Sequence, residues 1–293
     1  MAENKTNDQF QLVRKPKNEF EILLTIPWSE IKKAQGKVVL EASQHLEIKG
    51  FRKGKAPEKL VKETLGPQRL LENTLQKVVP DYYQKAIADL QLQPILTPKV
   101  QLVSAKENEA WQVKFISCEE PTVNLGNYQG EIRKLKAPEQ IWTPGKGAPP
   151  EKEKSEKDNK EEKVNRAIDW LLKNTKVEIC DLLTEEEVTR RLAELVEQTQ
   201  KLGLTIDQYL NSLGKTVEQI REEYTRSAQA NMALEFILNR IADTEKISVT
   251  PEEIEKMIAT AKTDEEKKSL ETQRYLLATL VRRQKTLDFL ASL

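Results

Sequence analysis

Lys49, Arg52, Lys53, Lys55, Lys59 and Lys62 fall within residues 49–62, opposed there only by Glu58. Six positive charges less one negative give a local +5, in a chain whose 47 Lys+Arg and 47 Asp+Glu cancel. Phe51 stands among the cations, and Gly50 and Gly54 flank the Phe51–Lys53 triplet. Glycine lets the backbone turn tightly and approach a partner. Cations at this density suit phosphate or acidic side chains, and an aromatic beside them supplies an apolar anchor. The bland alternative is a solvated basic turn with Phe51 tucked beneath it.

No other constellation has comparable chemical content. His45 is the single histidine, and no second His or Cys lies near it to complete a zinc site. Cys118 is followed by two glutamates, which disfavour a thiolate, and Cys180 follows Ile179 as a small apolar residue between helices. The two cysteines form no C-x-x-C pair, which fits a reducing compartment. Neither a P-loop nor G-x-G-x-x-G is present. The paired acids Glu185-Glu186 and Glu222-Glu223 belong on solvated helix faces. With one histidine, a His-assisted nucleophile has no support, and the residues argue against an enzyme. No cofactor or metal is expected.

The elements that must position the cationic segment follow from patterning. Residues 10–27, ending FEILLTIP, read as a strand stopped by Pro27. Ile31, Ala34, Val38, Ala42 and Leu46 recur at helical spacing over 28–46, with Ser29 as a candidate cap. GFRKGK breaks the chain, and Pro57 suits the first turn of a second helical stretch, 58–90, kinked near Gly66-Pro67. PKVQLVSA and EAWQVKFI, separated by polar Lys106–Glu109, form a hairpin. Residues 1–118 are therefore an α+β domain.

Residues 119–136 look extended. Residues 137–163, rich in Pro, Lys and Glu, cannot bury enough apolar area to offset chain entropy, so 119–163 reads as an extended segment and mobile linker. From Val164 to Leu293 the expectation is all-α, with helices near 164–174, 184–202, 205–213, 216–244, 250–262 and 264–292. Thr184, Thr205, Thr216, Thr250 and Thr263 each fit a capping box, and Gly203 and Gly214 follow helices as stop signals. Leu210, Leu213, Ile220, Leu234, Ile237 and Ile241 exceed what thin helical arms can bury. They should partly pack and partly face a groove that holds unfolded chain.

Over 293 residues, about two domains are expected. Charged residues at 32% and hydrophobic residues at 38% favour an elongated, multi-lobed protein over either disorder or one sphere. Zero net charge excludes a polyelectrolyte that coats nucleic acid. The opening residues contain no apolar core of a secretory signal, and no apolar run approaches a membrane span, so a cytoplasmic location is expected.

Glu47–Pro57, EIKGFRKGKAP, resembles the ribosome-binding signature of bacterial trigger factor, G-F-R-x-G-K, at Gly50, Phe51, Arg52, Gly54 and Lys55. PTVNLGNYQG at 121–130 is similar to the family segment that leaves the ribosome-binding domain. KVEICDLLTEEEVTRRL, GLTIDQYLNSLGKTVEQIREEY and ALEFILNRIADTEKISVTPEEI are similar to its substrate-binding domain, with Cys180 where the family usually has proline. The resemblance implies an ATP-independent chaperone docked at the ribosomal tunnel exit through Gly50, Phe51, Arg52, Lys53, Gly54 and Lys55. Its partners would be an exit-tunnel protein, adjacent rRNA and nascent polypeptide, with assistance to folding and export; a weak homodimer fits the same reading. The family usually carries a prolyl-isomerase domain between the two matched parts. Here only the Lys/Glu tract 137–163 stands in that place, so isomerase activity should be absent. The rival readings are a prolyl isomerase, an RNA-binding module using the basic loop, and a periplasmic chaperone with a similar helical cradle.

Overall fold

The computed structural model describes residues 6–7, 9–135, 156–260 and 263–293. The chain divides into two units, Met1–Glu120 and Pro121–Leu293.

The first unit is built on a sheet in the order β1-β2-β3-β5-β4, with every neighbouring pair antiparallel. The strands are β1 Thr6–Asn7, β2 Phe10–Arg14, β3 Glu19–Ile26, β4 Lys99–Ser104 and β5 Trp111–Cys118. Strict alternation in β3 turns Phe20, Ile22, Leu24 and Ile26 to one face, and β5 turns Trp111, Val113 and Phe115 the same way. Helices α1 Trp28–His45 and α3 Pro67–Leu90 cover that face with Ile31, Ala34, Val78, Ala86 and Leu90. The single strand expected over 10–27 is instead a hairpin. Lys17 and Asn18 both take positive φ, and the Glu19 amide donates to the Pro16 carbonyl at 3.3 Å. The Lys15 amide donates to the Glu19 carbonyl at 2.7 Å, so Pro16, Lys17 and Asn18 form a three-residue connection, and Asn18 was its signal.

The kink expected near Gly66-Pro67 is a complete break, with Gly66 at φ 81°, separating α2 Glu58–Leu65 from α3. Ser29 does not cap α1: Pro27 occupies the cap position without a side-chain hydrogen bond, and Ser29 lies inside the helix. The hairpin of β4 and β5 is as expected, with β4 at the sheet's edge and largely exposed.

The second unit contains α4 Tyr128–Arg133, α5 Glu156–Asn174, α6 Asp181–Lys201, α7 Ile206–Leu213, α8 Val217–Thr244, α9 Pro251–Ala259, α10 Asp264–Thr272 and α11 Arg274–Ser292. Its main core joins Tyr128, Ile132, Ala167, Leu171, Ile237, Leu238, Ile241 and Leu290. The segment 119–136 is therefore not simply extended. Asn127 accepts from the Gly130 amide to start α4, and α4 sets Tyr128 and Ile132 into this core. The Tyr128 hydroxyl donates to Glu245 at 2.6 Å, and the Gln129 amide donates to the same oxygen at 2.7 Å. Of the expected linker, residues 137–155 lie outside the described residues, while 156–163 belong to α5.

Capping boxes form at Thr205 and Thr216, the Thr250 amide donates to Glu253, and Thr263 accepts from the Glu266 amide. Thr184 does not cap. α6 begins earlier, at Asp181 after Cys180, and the buried Thr184 hydroxyl donates back to the Cys180 carbonyl. The last expected helix divides at Gln273. A smaller core of Leu195, Leu210 and Ile220, flanked by Leu192, Ile206, Tyr209 and Tyr224, closes α6, α7 and α8 into a hairpin. Arg282 and Lys285 of α11 tie the end of α8 to the start of α9. Arg282 donates to Asp243 and the Ile247 carbonyl, Lys285 to Glu253 and the Ser248 carbonyl.

Candidate functional site

The cationic segment is the connection from α1 to α2. The Gly54 amide donates to the Ser43 carbonyl at 2.8 Å, which fastens the far side of the loop to the end of α1. Ser43 is itself buried, and its hydroxyl donates to the Leu40 carbonyl at 2.6 Å. Within the loop, the Phe51 amide donates to Ile48 at 3.1 Å and the Lys55 amide to Arg52 at 3.0 Å. Two tight turns thus fold the loop on its own backbone. Gly50 and Gly54 take φ of +85° and +78°, and a Cβ at either would meet open space. They are needed for the backbone conformation rather than for room.

All six docking candidates, Gly50, Phe51, Arg52, Lys53, Gly54 and Lys55, are exposed. Phe51 is 43% exposed, so it is not tucked under the loop. Lys49, Lys59 and Lys62 are exposed as well, the last two on α2, whose Val61 and Leu65 are buried. Lys53 meets Glu47 at 3.0 Å, but both side chains are largely in water. Such a pair contributes little and leaves Lys53 available to a partner. His45 is exposed at the end of α1. The loop therefore presents one aromatic and several cations on a backbone held by hydrogen bonds. It can engage phosphates and carboxylates around an apolar contact. It offers no acid–base pair or nucleophile, and among the described residues no three His, Cys, Asp or Glu side chains converge on a metal position.

In the second unit the six apolar candidates divide unevenly between core and solvent. Of the six apolar residues expected to share packing with an open groove, Leu210 and Ile220 lie in the smaller core, and Ile237 and Ile241 lie in the main core. Leu234 is half-buried against the main core, and only Leu213, at 47%, is well exposed. The reason is the stripe Leu234, Ile237, Leu238, Ile241, whose three- and four-residue spacing turns it as one face into the main core with Leu171 and Leu290. Side chains that do reach solvent were missed: Leu202 (72%), Leu204 and Val217 near Leu213, and Tyr275 (89%), Leu276 and Leu280 on α11. For the first group a signal existed. Leu202 and Leu204 flank Gly203, and Leu213 precedes Gly214, where a turn has no helix face to bury them.

Titratable groups in this unit brace helices rather than a reaction centre. Burial, then the hydrogen bond to Glu245, pushes the Tyr128 hydroxyl up to about 12. Burial would raise the Glu187 carboxyl, but Arg191 and Arg190 outweigh it and hold that group below its ordinary value. Lys285 does the same for Glu253. Among the described residues, no helix is long and apolar enough to cross a membrane.

Comparison with known proteins places these features. Residues 9–143 match the family model for bacterial trigger factor protein, and residues 151–292 match the model for the C-terminus of the same protein. The trigger factor of Carboxydothermus hydrogenoformans is 35% identical over 120 residues, covering 41% of this chain and 28% of that protein. That of Streptococcus agalactiae serotype Ia is 33% identical over 108 residues, covering 37% and 25%. The matched stretches thus span little more than a quarter of these relatives' length. A solved structure, from work on promiscuous substrate recognition in folding and assembly activities of the trigger factor chaperone, superposes with a TM-score of 0.67. It covers 97% of this chain and 99% of that one at 17% identity, a likeness of fold.

Proposed function

Because the chain belongs to the bacterial trigger factor family, we propose that it is an ATP-independent chaperone that docks on the ribosome and shelters emerging polypeptide. The observation that carries this is the α1–α2 loop: Phe51, Arg52 and Lys53 all exposed, on a backbone pinned by the Gly54–Ser43 hydrogen bond. The loop would meet an exit-tunnel protein through Phe51 and nearby rRNA through its cations. The apolar side chains left in water on α11 and around the turns of the α6–α8 hairpin would hold unfolded segments. Several small apolar patches on a charged frame bind many sequences weakly, and weak binding releases without nucleotide. The setting is the cytoplasm, where such a protein divides between free and ribosome-bound pools.

The two matched segments leave only residues 144–150 between them. A tract that short cannot form the isomerase domain usual at this place in the family, so we infer a holding activity without prolyl-isomerase turnover. Co-sedimentation with ribosomes, of the wild type and of the variant with Phe51, Arg52 and Lys53 changed to Ala, tests the docking. Delay of aggregation of a denatured protein without ATP tests the holding. Undiminished sedimentation of the triple variant, or no delay at stoichiometric concentration, refutes the respective part. A prolyl cis/trans rate above background on a short peptide refutes the third. An RNA-binding module would instead keep its affinity without Phe51 and lose it steeply with salt.

A further inference from the structure

At the end of α3 the first unit carries a concave site of about 340 Å³, open to solvent along one side. Its apolar walls are Tyr83, Ile87, Leu92 and Pro94. Glutamine amides stand at Gln84, Gln91 and Gln93, all three exposed. No charged side chain lines it, in a chain of which 32% is charged.

The site is held in shape from both sides. Gln91 ends α3 in the left-handed conformation, and the Leu92 amide returns to the Ile87 carbonyl at 3.1 Å. The wall that follows is bridged to the end of β5. The Gln93 amide donates to the Glu119 carboxylate at 3.0 Å, and the Ile95 amide donates to the Cys118 carbonyl at 3.0 Å. The Ser117 hydroxyl donates to the Leu96 carbonyl at 2.8 Å. Glu119 is fixed in turn by Arg14. On the helix side, the Tyr83 ring stacks on Phe115 with centroids 4.9 Å apart. The Tyr83 hydroxyl is buried beside Ser117, so Tyr83 serves the site as an apolar wall.

These features narrow the ligand. Phosphates and nucleotides need cations, and metal ions need carboxylates or imidazoles; the lining has neither. A cavity of about 150 Å³ already holds a benzene ring, so this one has room for a large side chain and part of its backbone. Amide groups around the mouth both donate and accept, as a peptide backbone requires. Ile95, next along the wall and 42% exposed, extends the apolar surface beyond the mouth.

We propose that this site receives one large apolar side chain, aromatic or aliphatic, from an uncharged and extended polypeptide segment, with the glutamine amides bonding the backbone on either side. The proposal rests on the chaperone reading above and adds a defined subsite in the unit that carries the docking loop. Because the walls are already fixed, binding costs little ordering of the protein.

The test maps amide chemical shifts of the full chain on addition of a blocked, uncharged pentapeptide with a central Phe, against the same peptide with a central Ala. The Phe peptide should shift Tyr83, Ile87, Gln91 and Gln93, and the Ala peptide should not. Ala88 lines the site yet is exposed on α3. Ala88→Lys should therefore fold normally and weaken binding by about tenfold, since the ligand must desolvate the ammonium group. Shifts confined to Pro121–Leu293, or equal binding by Ala88→Lys, overturn the proposal. Concentration-dependent shifts without peptide, abolished by Ala88→Lys, overturn it in favour of a second copy as occupant. Failure of the wild type to delay aggregation sinks the chaperone reading by itself, and leaves the peptide map as a separate result.

Discussion

Truncating Phe51 to alanine separates the apolar part of docking from the cationic part. Phe51 is 43% exposed, which for a side chain of about 200 Å² leaves about 90 Å² to be removed from water on contact. At about 25 cal/mol per Å² that area contributes about 2 kcal/mol, or about thirtyfold in Kd. The loop's own hydrogen bonds are made by backbone groups, so the fold should not register the change: the urea midpoint should correspond to within about ±0.5 kcal/mol of wild type. Ribosome binding measured across a salt series then gives two readouts. Phe51→Ala should lower affinity by the same factor at every salt concentration, because no charge is removed. Lys53→Ala should instead reduce the slope of log K against log salt by slightly less than about 1, if that ammonium meets a phosphate. A Phe51→Ala effect below about threefold would place the aromatic outside the interface and refute the anchor. A changed salt slope in that variant would mean the loop itself had rearranged.

Gly54→Val places a branched side chain at φ +78°; it should destabilise the first unit by about 1–2 kcal/mol and weaken ribosome binding although no contact group is removed. Gly36→Ala, at an exposed position inside α1 with open space around a Cβ, should stabilise by about 0.5–1 kcal/mol and leave binding unchanged; urea melts read both. Ile241→Ala should cost about 2–5 kcal/mol in thermal or urea unfolding, whereas Leu213→Ala should be neutral within about 0.5 kcal/mol yet shorten the delay of aggregation. Tyr128 has its folded-state value raised to about 12 from 10. The unfolded chain therefore releases this proton first, and the stabilisation is complete below pH 10 and lost as pH rises from 10 towards 12. The loss should be on the order of 2 kcal/mol, and unfolding followed over that range should show it missing in Tyr128→Phe.

Elements were legible where a local rule and the tertiary context agree. α1, α7 and α8 emerged within a residue or two, and α9 did so at its start, because apolar spacing and a threonine cap specify a start without reference to neighbours. Errors gathered where tertiary packing overrode local pattern. Thr184…Glu187 satisfies the capping formula, but the helix starts at Asp181 because Cys180 and Thr184 are buried together at its base. Residues 121–135 look extended because their apolar residues are sparse, and only the core formed by α5, α8 and α11 gives Tyr128 and Ile132 a reason to fold into a helix.

The two parts of the candidate site differ in legibility for a related reason. The loop proposed for docking could be read from the chain because its requirements are local: two glycines in left-handed conformations, an aromatic, and cations that outnumber the acids around them. The apolar surface proposed to hold unfolded chain has no such local mark. Leu210 and Ile220 are chemically the same kind of residue as Leu202 and Leu213, and only the packing of α6, α7 and α8 decides which pair is buried and which is left in water. Counting apolar residues on helices selects the core first, since the regular stripe that announces a helix is the stripe it buries. Residues that bind an unfolded partner should therefore be sought among apolar side chains that break the stripe. Beside Gly203, before Gly214 and at the start of α11 such side chains stay in water, and it is there that the proposed holding of unfolded chain would act.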